Sequence, residues 1–134
     1  MLTRSLPYAF AVAVLALGAF IPSRAAPAPW DAQQGAATRV EAAKAAFEAI
    51  KASFAAGKDP CEAVYTWSVR WLAAQLDAGA KAPAALQDHL TRMKNLEGAV
   101  TAKFQSGAAP KTDALATAYY RAEAELWVAR KTMR

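Results

Sequence analysis

The sequence contains a single cysteine and a single histidine among its 134 residues. One cysteine cannot form an internal disulfide, and one histidine with one cysteine falls short of the three or four ligands of a recognised metal site. The sequence also lacks a phosphate-cradling loop, a dinucleotide fingerprint and a G-x-S-x-G elbow. We therefore expect no cofactor, no bound metal and no enzymatic activity.

Long blocks of one charge are also missing. The 16 lysines and arginines are interspersed with 11 aspartates and glutamates, and no basic cluster stands out. Nucleic-acid-binding proteins typically concentrate basic residues in a recognisable module. The charge pattern predicts solvated helix faces and excludes nucleic acid as an expected partner.

Alanine dominates what is present. Of the 109 residues after position 25, 31 are alanine and only 26 are larger apolar residues or cysteine. Alanine is the best helix former but fills little core volume, and the β-branched runs that sheets need are scarce. The composition therefore predicts an all-α protein whose helices pack closely on a thin apolar seam.

The N-terminal residues 1–25 are typical of a secretory signal peptide. Arg4 precedes an uncharged apolar stretch of 14 residues (8–21), and Ser23-Arg24-Ala25 places small residues at the −3 and −1 positions of a cleavage site. The alternative is an uncleaved N-terminal anchor, because Arg24 puts positive charge on both sides of the stretch. We expect a periplasmic or secreted protein, with membrane contact only if this segment is retained.

Residues 26–30 predict an extended lead-in, and residues 31–134 a single helical domain. Capping residues, glycines and prolines divide this domain into four helices. We predict them at about 31–56, 60–77, 83–106 and 110–133. The fold expected is an antiparallel four-helix bundle, or two long αα-hairpins.

Each predicted helix carries an apolar seam at helical spacing. In the first helix the seam is Val40, Ala43, Phe47, Ile50 and Phe54. The second helix has two stripes, Tyr65, Val69, Leu72 and Leu76 beside Val64, Trp67 and Trp71, which predicts contact with more than one neighbour. The third has Leu86, Leu90, Met93, Leu96, Val100 and Phe104, and the fourth has Leu115, Tyr119, Ala122, Leu126, Ala129 and Met133.

Two of the predicted turns match. Phe54-x-x-Gly57-x-x-Pro60 recurs as Phe104-x-x-Gly107-x-x-Pro110. Glycine suits the left-handed position that ends a helix, and proline suits the start of the next one; we also expect Asp59 to cap the second helix. The match indicates either an internal duplication or two hairpins built by the same local rules.

A few polar residues are candidates for metal binding, nucleophilic catalysis or ion pairing. His89 and Met93, four apart, could hold a soft metal with an acidic group. Ser68 could act as a nucleophile only with His89, the one available imidazole base, and we do not expect this. Arg121 with Glu125, and Asp88 with Arg92, predict i,i+4 surface ion pairs.

Cys61 is expected to pack as a small buried apolar residue, the alternative being a bond to another molecule.

The most unusual feature is a set of aromatic residues with arginines among them. Large rings can form the core where two hairpins meet, and Trp, Tyr and Arg also dominate protein-binding hot spots. The predicted partner-binding residues are Trp67, Arg70, Trp71, Tyr119, Tyr120 and Trp127.

A glycine-centred turn and an alanine-spaced heptad occupy residues 96–130. They contain the motifs Phe104-Gln-Ser-Gly107, Asp113-Ala-Leu115 and Ala-Glu125-Leu126. This part, about a quarter of the chain, resembles the helical hairpin of the TolC-type outer-membrane efflux family. The resemblance implies a coiled-coil turn between periplasmic helices. It does not imply a channel, because the chain is too short and lacks the alternating strand segments of a barrel.

Two further segments, Trp67-Ser-Val-Arg-Trp71 and Tyr119-Tyr-Arg-Ala-Glu-Ala-Glu-Leu-Trp127, resemble uncharacterised exported helical proteins of planctomycete-type bacteria, which implies no activity. The sequence therefore predicts an exported, non-enzymatic helical-hairpin protein that packs helix on helix with itself or with an envelope protein. The alternative is a small periplasmic metal or stress sensor that uses His89 and Met93.

Overall fold

A computed structural model describes residues 32–132, which form an all-α four-helix bundle. The helices are α1 (Ala32–Ala55), α2 (Cys61–Asp77), α3 (Ala82–Gln105) and α4 (Lys111–Thr132). The fold class and the helix order agree with the sequence prediction, and no helix boundary differs from it by more than one residue. The predicted signal peptide, the lead-in, the first predicted helical residue Asp31, and Met133 lie outside the described residues. No helix in the described part is long and apolar enough to cross a bilayer.

The matched turns adopt the same backbone geometry. Gly57 and Gly107 have φ angles of 75° and 78°, as their spacing predicted. At the first turn the Gly57 N–H donates to the Phe54 carbonyl at 2.9 Å, and the Lys58 N–H donates to the Ser53 carbonyl at 3.0 Å. The same pair of bonds recurs around Gly107 and, unforeseen, around Gly79. This pair of hydrogen bonds is the Schellman motif, which satisfies backbone carbonyls at a helix end.

The cap predicted at Asp59 is wrong. Pro60 occupies the N-cap position of α2 with extended backbone, and no side chain caps this helix end. An N-cap side chain bonds forward to the N–H groups of the first turn, and a residue one position earlier cannot take that role. At α3, Pro83 lies in the first turn as predicted.

Helix α2 is the central element of the bundle. It packs against α1, α3 and α4, whereas no described Cα atom of α1 comes within 8 Å of one in α3 or α4. The wide double stripe predicted for α2 accounts for its three neighbours. Cys61, at the start of α2, is buried as predicted, and burial raises the pKa of its thiol.

The seam of α3 forms the centre of the core. Five of its six predicted members are buried: Leu86, Leu90, Met93, Leu96 and Val100. Phe104, the last member, is 41% exposed, and Leu76, the last member of an α2 stripe, is 38% exposed. Both side chains lie in the final turn of their helices, where neighbouring helices cover them least.

The seam predicted to bury α4 is wrong. Leu115 and Tyr119 are each 62% exposed and Leu126 is 46% exposed, whereas Thr117 and Ala124 are buried. Helix α4 carries a second stripe of the same spacing, made of Thr117, Tyr120, Ala124 and Trp127. This stripe lies about 150° around the helix from the first. Its small residues permit close approach to α3, and its two rings offer more area to bury than leucines do.

Candidate functional site

The six residues predicted to bind a partner do not share one face. Arg70 is exposed and lies over the Trp67 ring at 4.7 Å, and Trp67 packs against the core of the bundle. Trp71 faces α1, with its ring centroid 5.5 Å from that of Phe47. Tyr119 is exposed on α4, whereas Tyr120 and Trp127 pack inward. Their role in partner binding stays a prediction, and only the Trp67–Arg70 and Tyr119–Tyr120 pairs are brought together.

Tyr120 packs inward as part of a tyrosine cluster between α2 and α4. Its ring stacks on Tyr65 with centroids 4.0 Å apart. The Tyr65 hydroxyl donates to Glu123 Oε2 at 2.6 Å, and the Tyr119 hydroxyl donates to Glu123 Oε1 at 3.3 Å. Burial and the bond to Glu123 raise the pKa of Tyr65 well above its usual range. Tyr65 therefore stays protonated, and its bond to Glu123 and its stack on Tyr120 hold α4 against α2.

Trp127 packs on a polar cluster of two buried residues and one half-buried residue, which we call the Ser68 cluster and define as Ser68, His89 and Arg92. The Trp127 ring stacks on the His89 ring with centroids 5.4 Å apart. Ser68 Oγ lies 2.8 Å from His89 Nδ1, and Arg92 Nε donates to Ser68 Oγ at 2.7 Å. Both Ser68 and His89 are fully buried. The cluster thus joins α2 to α3 inside the core.

Only one of the two hydrogen bonds of this cluster has a fixed direction. Arg92 Nε donates to Ser68 Oγ, whereas the donor in the Ser68–His89 bond depends on which ring nitrogen of His89 carries the proton. Among the described residues His89 Nε2 has no partner. Burial lowers the pKa of His89 to about 4, and the charge of Arg92 adds to the effect. His89 is therefore neutral at neutral pH.

A serine beside an imidazole can form a nucleophile pair, a role that the sequence does not predict for Ser68. The structure does join Ser68 to His89, yet both are fully buried. A carbonyl substrate cannot reach Ser68 Oγ without opening the bundle, and an imidazole of pKa about 4 is a weak base at pH 7. The geometry is that of a core hydrogen bond.

His89 and Met93, the residues of the metal-sensor alternative, are both fully buried. The described residues contain no group of three or more His, Cys, Asp or Glu side chains that could hold a metal ion. His89 Nδ1 is already hydrogen-bonded to Ser68 Oγ.

The predicted ion pair between Asp88 and Arg92 is absent. Arg92 turns inward to Ser68 instead, and no carboxylate of the described residues lies within 4 Å of its guanidinium. The predicted Arg121–Glu125 pair is confirmed at 2.7 Å, and Arg121 also donates to Glu97 at 2.7 Å across to α3.

The exposed apolar face of α4 is the second candidate site. We call it the α4 seam and define it by its described residues, Leu115, Tyr119, Ala122, Leu126 and Ala129. Its spacing of 4, 3, 4 and 3 is that of a coiled-coil seam. Three large side chains of the seam are about half exposed or more. A helix face of this spacing and exposure can accept the face of another helix.

The sequence analysis did not predict a buried hydrogen bond between Ser68 and His89. A signal for the pair exists: Ser68 stands between Val64 and Leu72 at i,i+4 spacing, and His89 lies within the apolar seam of α3. A polar residue at a core position of each of two neighbouring helices predicts a buried hydrogen bond. The roles of Tyr65 and Glu123 carried no such signal.

Comparisons with known protein families, with curated proteins and with solved structures found no match for this chain.

Proposed function

We propose that this protein is a non-enzymatic, exported helical protein that acts by helix–helix packing with a second copy of itself through the α4 seam. The observation that carries the proposal is the exposure of Leu115, Tyr119 and Leu126 at heptad spacing. Isolated apolar residues are common on protein surfaces, but a continuous stripe of large ones marks an interaction face. A two-fold symmetric pair uses the same stripe on both copies.

Charged residues beside the seam favour a parallel pairing of the two α4 helices. In the heptad, Tyr119 and Leu126 take a positions, while Leu115, Ala122 and Ala129 take d positions. Glu125 is then at a g position and Arg130 at the e position five residues later. In a parallel coiled coil these positions face each other across the seam. Glu125 of one copy would lie opposite Arg130 of the second, on both sides of the dimer.

A second copy suits this chain better than a larger envelope partner for a physical reason. Few large side chains serve the core, and about 100 ordered residues bury a marginal apolar area. Oligomerisation is a usual way to add buried area to such a domain. The export part of the proposal rests on the signal-like residues 1–25, and determination of the N-terminal residue of the protein in the periplasm tests it.

Sedimentation equilibrium between 1 and 100 µM tests the pairing. We expect a dimer for the native protein and a monomer for the Leu126→Glu variant, with unchanged helix content by circular dichroism. Leu76→Glu is the matched control, because Leu76 is similarly exposed on α2 but lies off the seam. A native protein that stays monomeric at 100 µM contradicts the proposal, and so does a dimer that survives Leu126→Glu.

Cysteine cross-linking tests the orientation. In a parallel dimer Leu115→Cys and Ala129→Cys each face the same residue of the second copy, and both variants form disulfide-linked dimers on oxidation. In an antiparallel dimer the two-fold axis passes at one level only, so at most one of these variants cross-links. The buried native Cys61 serves as the internal control. A dimer in which neither variant cross-links contradicts the parallel pairing.

A further inference from the structure

A cleft opens between α1 and α3, away from the α4 seam. Both helices pack toward α2 but stay more than 8 Å apart between described Cα atoms. The space between them measures about 480 Å³ and is floored by Val64 and Trp71 of α2. Along α3 it runs from Asp88 to Lys103, which is about 22 Å at the rise of an α-helix. The cleft is therefore elongated along α3.

The wall of the cleft is mostly apolar. Phe47 and Phe54 of α1 are buried among its lining residues, and Leu96 of α3 faces them. Exposed alanines and the stems of long side chains complete the wall. An elongated apolar cleft of this size matches the extended hydrocarbon body of a small molecule better than a compact polar one.

Arg92 supplies a charge inside this apolar wall. Its guanidinium lies 4.2 Å from the Trp71 ring centroid and 5.6 Å from that of Phe47. Two bonds fix it, from Nε to Ser68 Oγ at 2.7 Å and from Nη2 to the Ser68 carbonyl at 3.4 Å. Neither neutralises its charge, and Nη1 makes no hydrogen bond among the described residues. The guanidinium is thus held in place with one edge unused.

The other charged residues that line the cleft either form a bond within the protein or are exposed to solvent. Lys51 pairs with Glu48 at 3.1 Å, and Lys103 Nζ donates to the Phe54 carbonyl at 2.9 Å. Asp88 is exposed and forms no ion pair with Arg92. Burial lowers the pKa of Arg92 to about 10, with Asp88 and Glu48 opposing the shift, so Arg92 stays charged at neutral pH. Among the described residues that line the cleft, Arg92 and Lys103 have no carboxylate partner, and Lys103 Nζ is already bonded to the Phe54 carbonyl, which leaves Arg92 as the candidate anchor.

We propose that the α1–α3 cleft binds a fatty-acid-like carboxylate, with the carboxylate on the free edge of Arg92 and the hydrocarbon chain along Phe47, Phe54 and Leu96. A guanidinium offers two parallel N–H groups that match a carboxylate. The fixed position of Arg92 removes much of the entropy cost of ordering the side chain on binding. The inference is independent of pairing through α4, because the cleft and the seam share no residue.

Titration of the ¹⁵N-labelled protein with decanoate, and separately with decan-1-ol, tests the proposal. We expect decanoate to shift the amide signals of cleft residues such as Thr91 and Asn95, and decan-1-ol to bind at least tenfold more weakly. Equal affinities for the acid and the alcohol overturn the carboxylate anchor. No shifts with decanoate up to 1 mM overturn the site.

Two variants locate the site. Ala99 is exposed and lines the cleft. Ala99→Phe should therefore fill the cleft and leave Arg92 unchanged, and we expect at least a tenfold loss of decanoate affinity. Ala49→Phe is the matched control on the opposite side of α1, and it should bind decanoate normally. Arg92→Gln should lose the preference for the acid over the alcohol. Undiminished binding to Ala99→Phe, or an equal loss in Ala49→Phe, overturns the assignment even where Arg92→Gln fails to fold.

Discussion

At the turn of the α1–α2 hairpin Phe54 is 8% exposed, whereas Phe104, at the same place in the α3–α4 hairpin, is 41% exposed. The backbone of the two turns is the same, down to the glycine φ angle and the paired carbonyl bonds. The difference comes from the neighbouring hairpin. Lys103 reaches across from α3, lies 4.1 Å from the centroid of the Phe54 ring and donates to the Phe54 carbonyl.

No equivalent residue of α1 or α2 covers Phe104 in the described structure, although both turns lie at the same end of the bundle. The comparison teaches that the F-x-x-G-x-x-P pattern determines where the chain reverses, while the contacts between hairpins determine which phenylalanine is buried. Sequence similarity between the turns therefore does not imply that their two phenylalanines contribute equally to the free energy of unfolding. Three experiments separate the local contribution from the contribution of the neighbouring hairpin.

Truncation of the two phenylalanines should give the largest difference. Phe54→Ala removes a buried ring and leaves space beside the cleft, and we expect it to lower the free energy of unfolding by about 3 kcal/mol. Phe104→Ala removes an exposed ring and should cost less than about 1 kcal/mol. Urea unfolding followed by circular dichroism measures both values. Equal losses would show that the turn pattern itself, rather than the neighbouring hairpin, sets the role of the ring.

The contact between the hairpins should make the free energy of unfolding depend on pH through His89. The folded state holds the pKa of His89 at about 4, because the ring is buried, whereas the unfolded chain protonates histidine near pH 6.5. The unfolded state therefore binds more protons between these values, and stability falls as the pH is lowered through this window. We expect the contribution of His89 to the unfolding free energy to drop by about 2 kcal/mol from pH 6.5 to 4.5.

His89→Gln is the control for this prediction, because glutamine keeps polar atoms near Ser68 but does not titrate in this range. The carboxylates titrate in both proteins, so the difference between their urea-unfolding curves isolates the histidine. A wild-type protein whose stability follows that of His89→Gln at every pH would mean that His89 is not buried in the neutral form.

Part of the fold could be predicted from the sequence alone, and part of it could not. Helix order, both glycine turns and the α3 seam were predictable, because α3 has one apolar stripe and helical periodicity identifies it. Helix α4 carries two stripes of equal spacing, and the choice between them depends on the shape of the α2–α3 surface. Tyr65 and His89 provide the flat partners on which Tyr120 and Trp127 stack. Periodicity within one helix contains no information about those partners.

The inward turn of Arg92 was unpredictable for a similar reason. Asp88 stands four residues before it on the same helix, and this spacing favours a surface ion pair worth a few tenths of a kcal/mol. Ser68 and Trp71 compete for the guanidinium from another helix, with a hydrogen bond and a ring face inside the bundle. A charged hydrogen bond away from water outweighs an exposed pair. Only the pairing of α2 with α3 brings the competitor within reach.

Replacement of the turn glycines should cause the smallest loss of stability, and the loss should be the same at both turns. Gly57 and Gly107 both have positive φ, and a Cβ added at either would meet no atom within 4 Å. The cost of Gly57→Ala and of Gly107→Ala is therefore backbone strain alone, about 1 kcal/mol for each. Gly98→Ala, at an open position within α3, should instead stabilise the protein by up to about 1 kcal/mol. Unequal costs at the two turns in urea unfolding would mean that the neighbouring hairpin also supports one turn backbone, and the separation of local from tertiary control would fail.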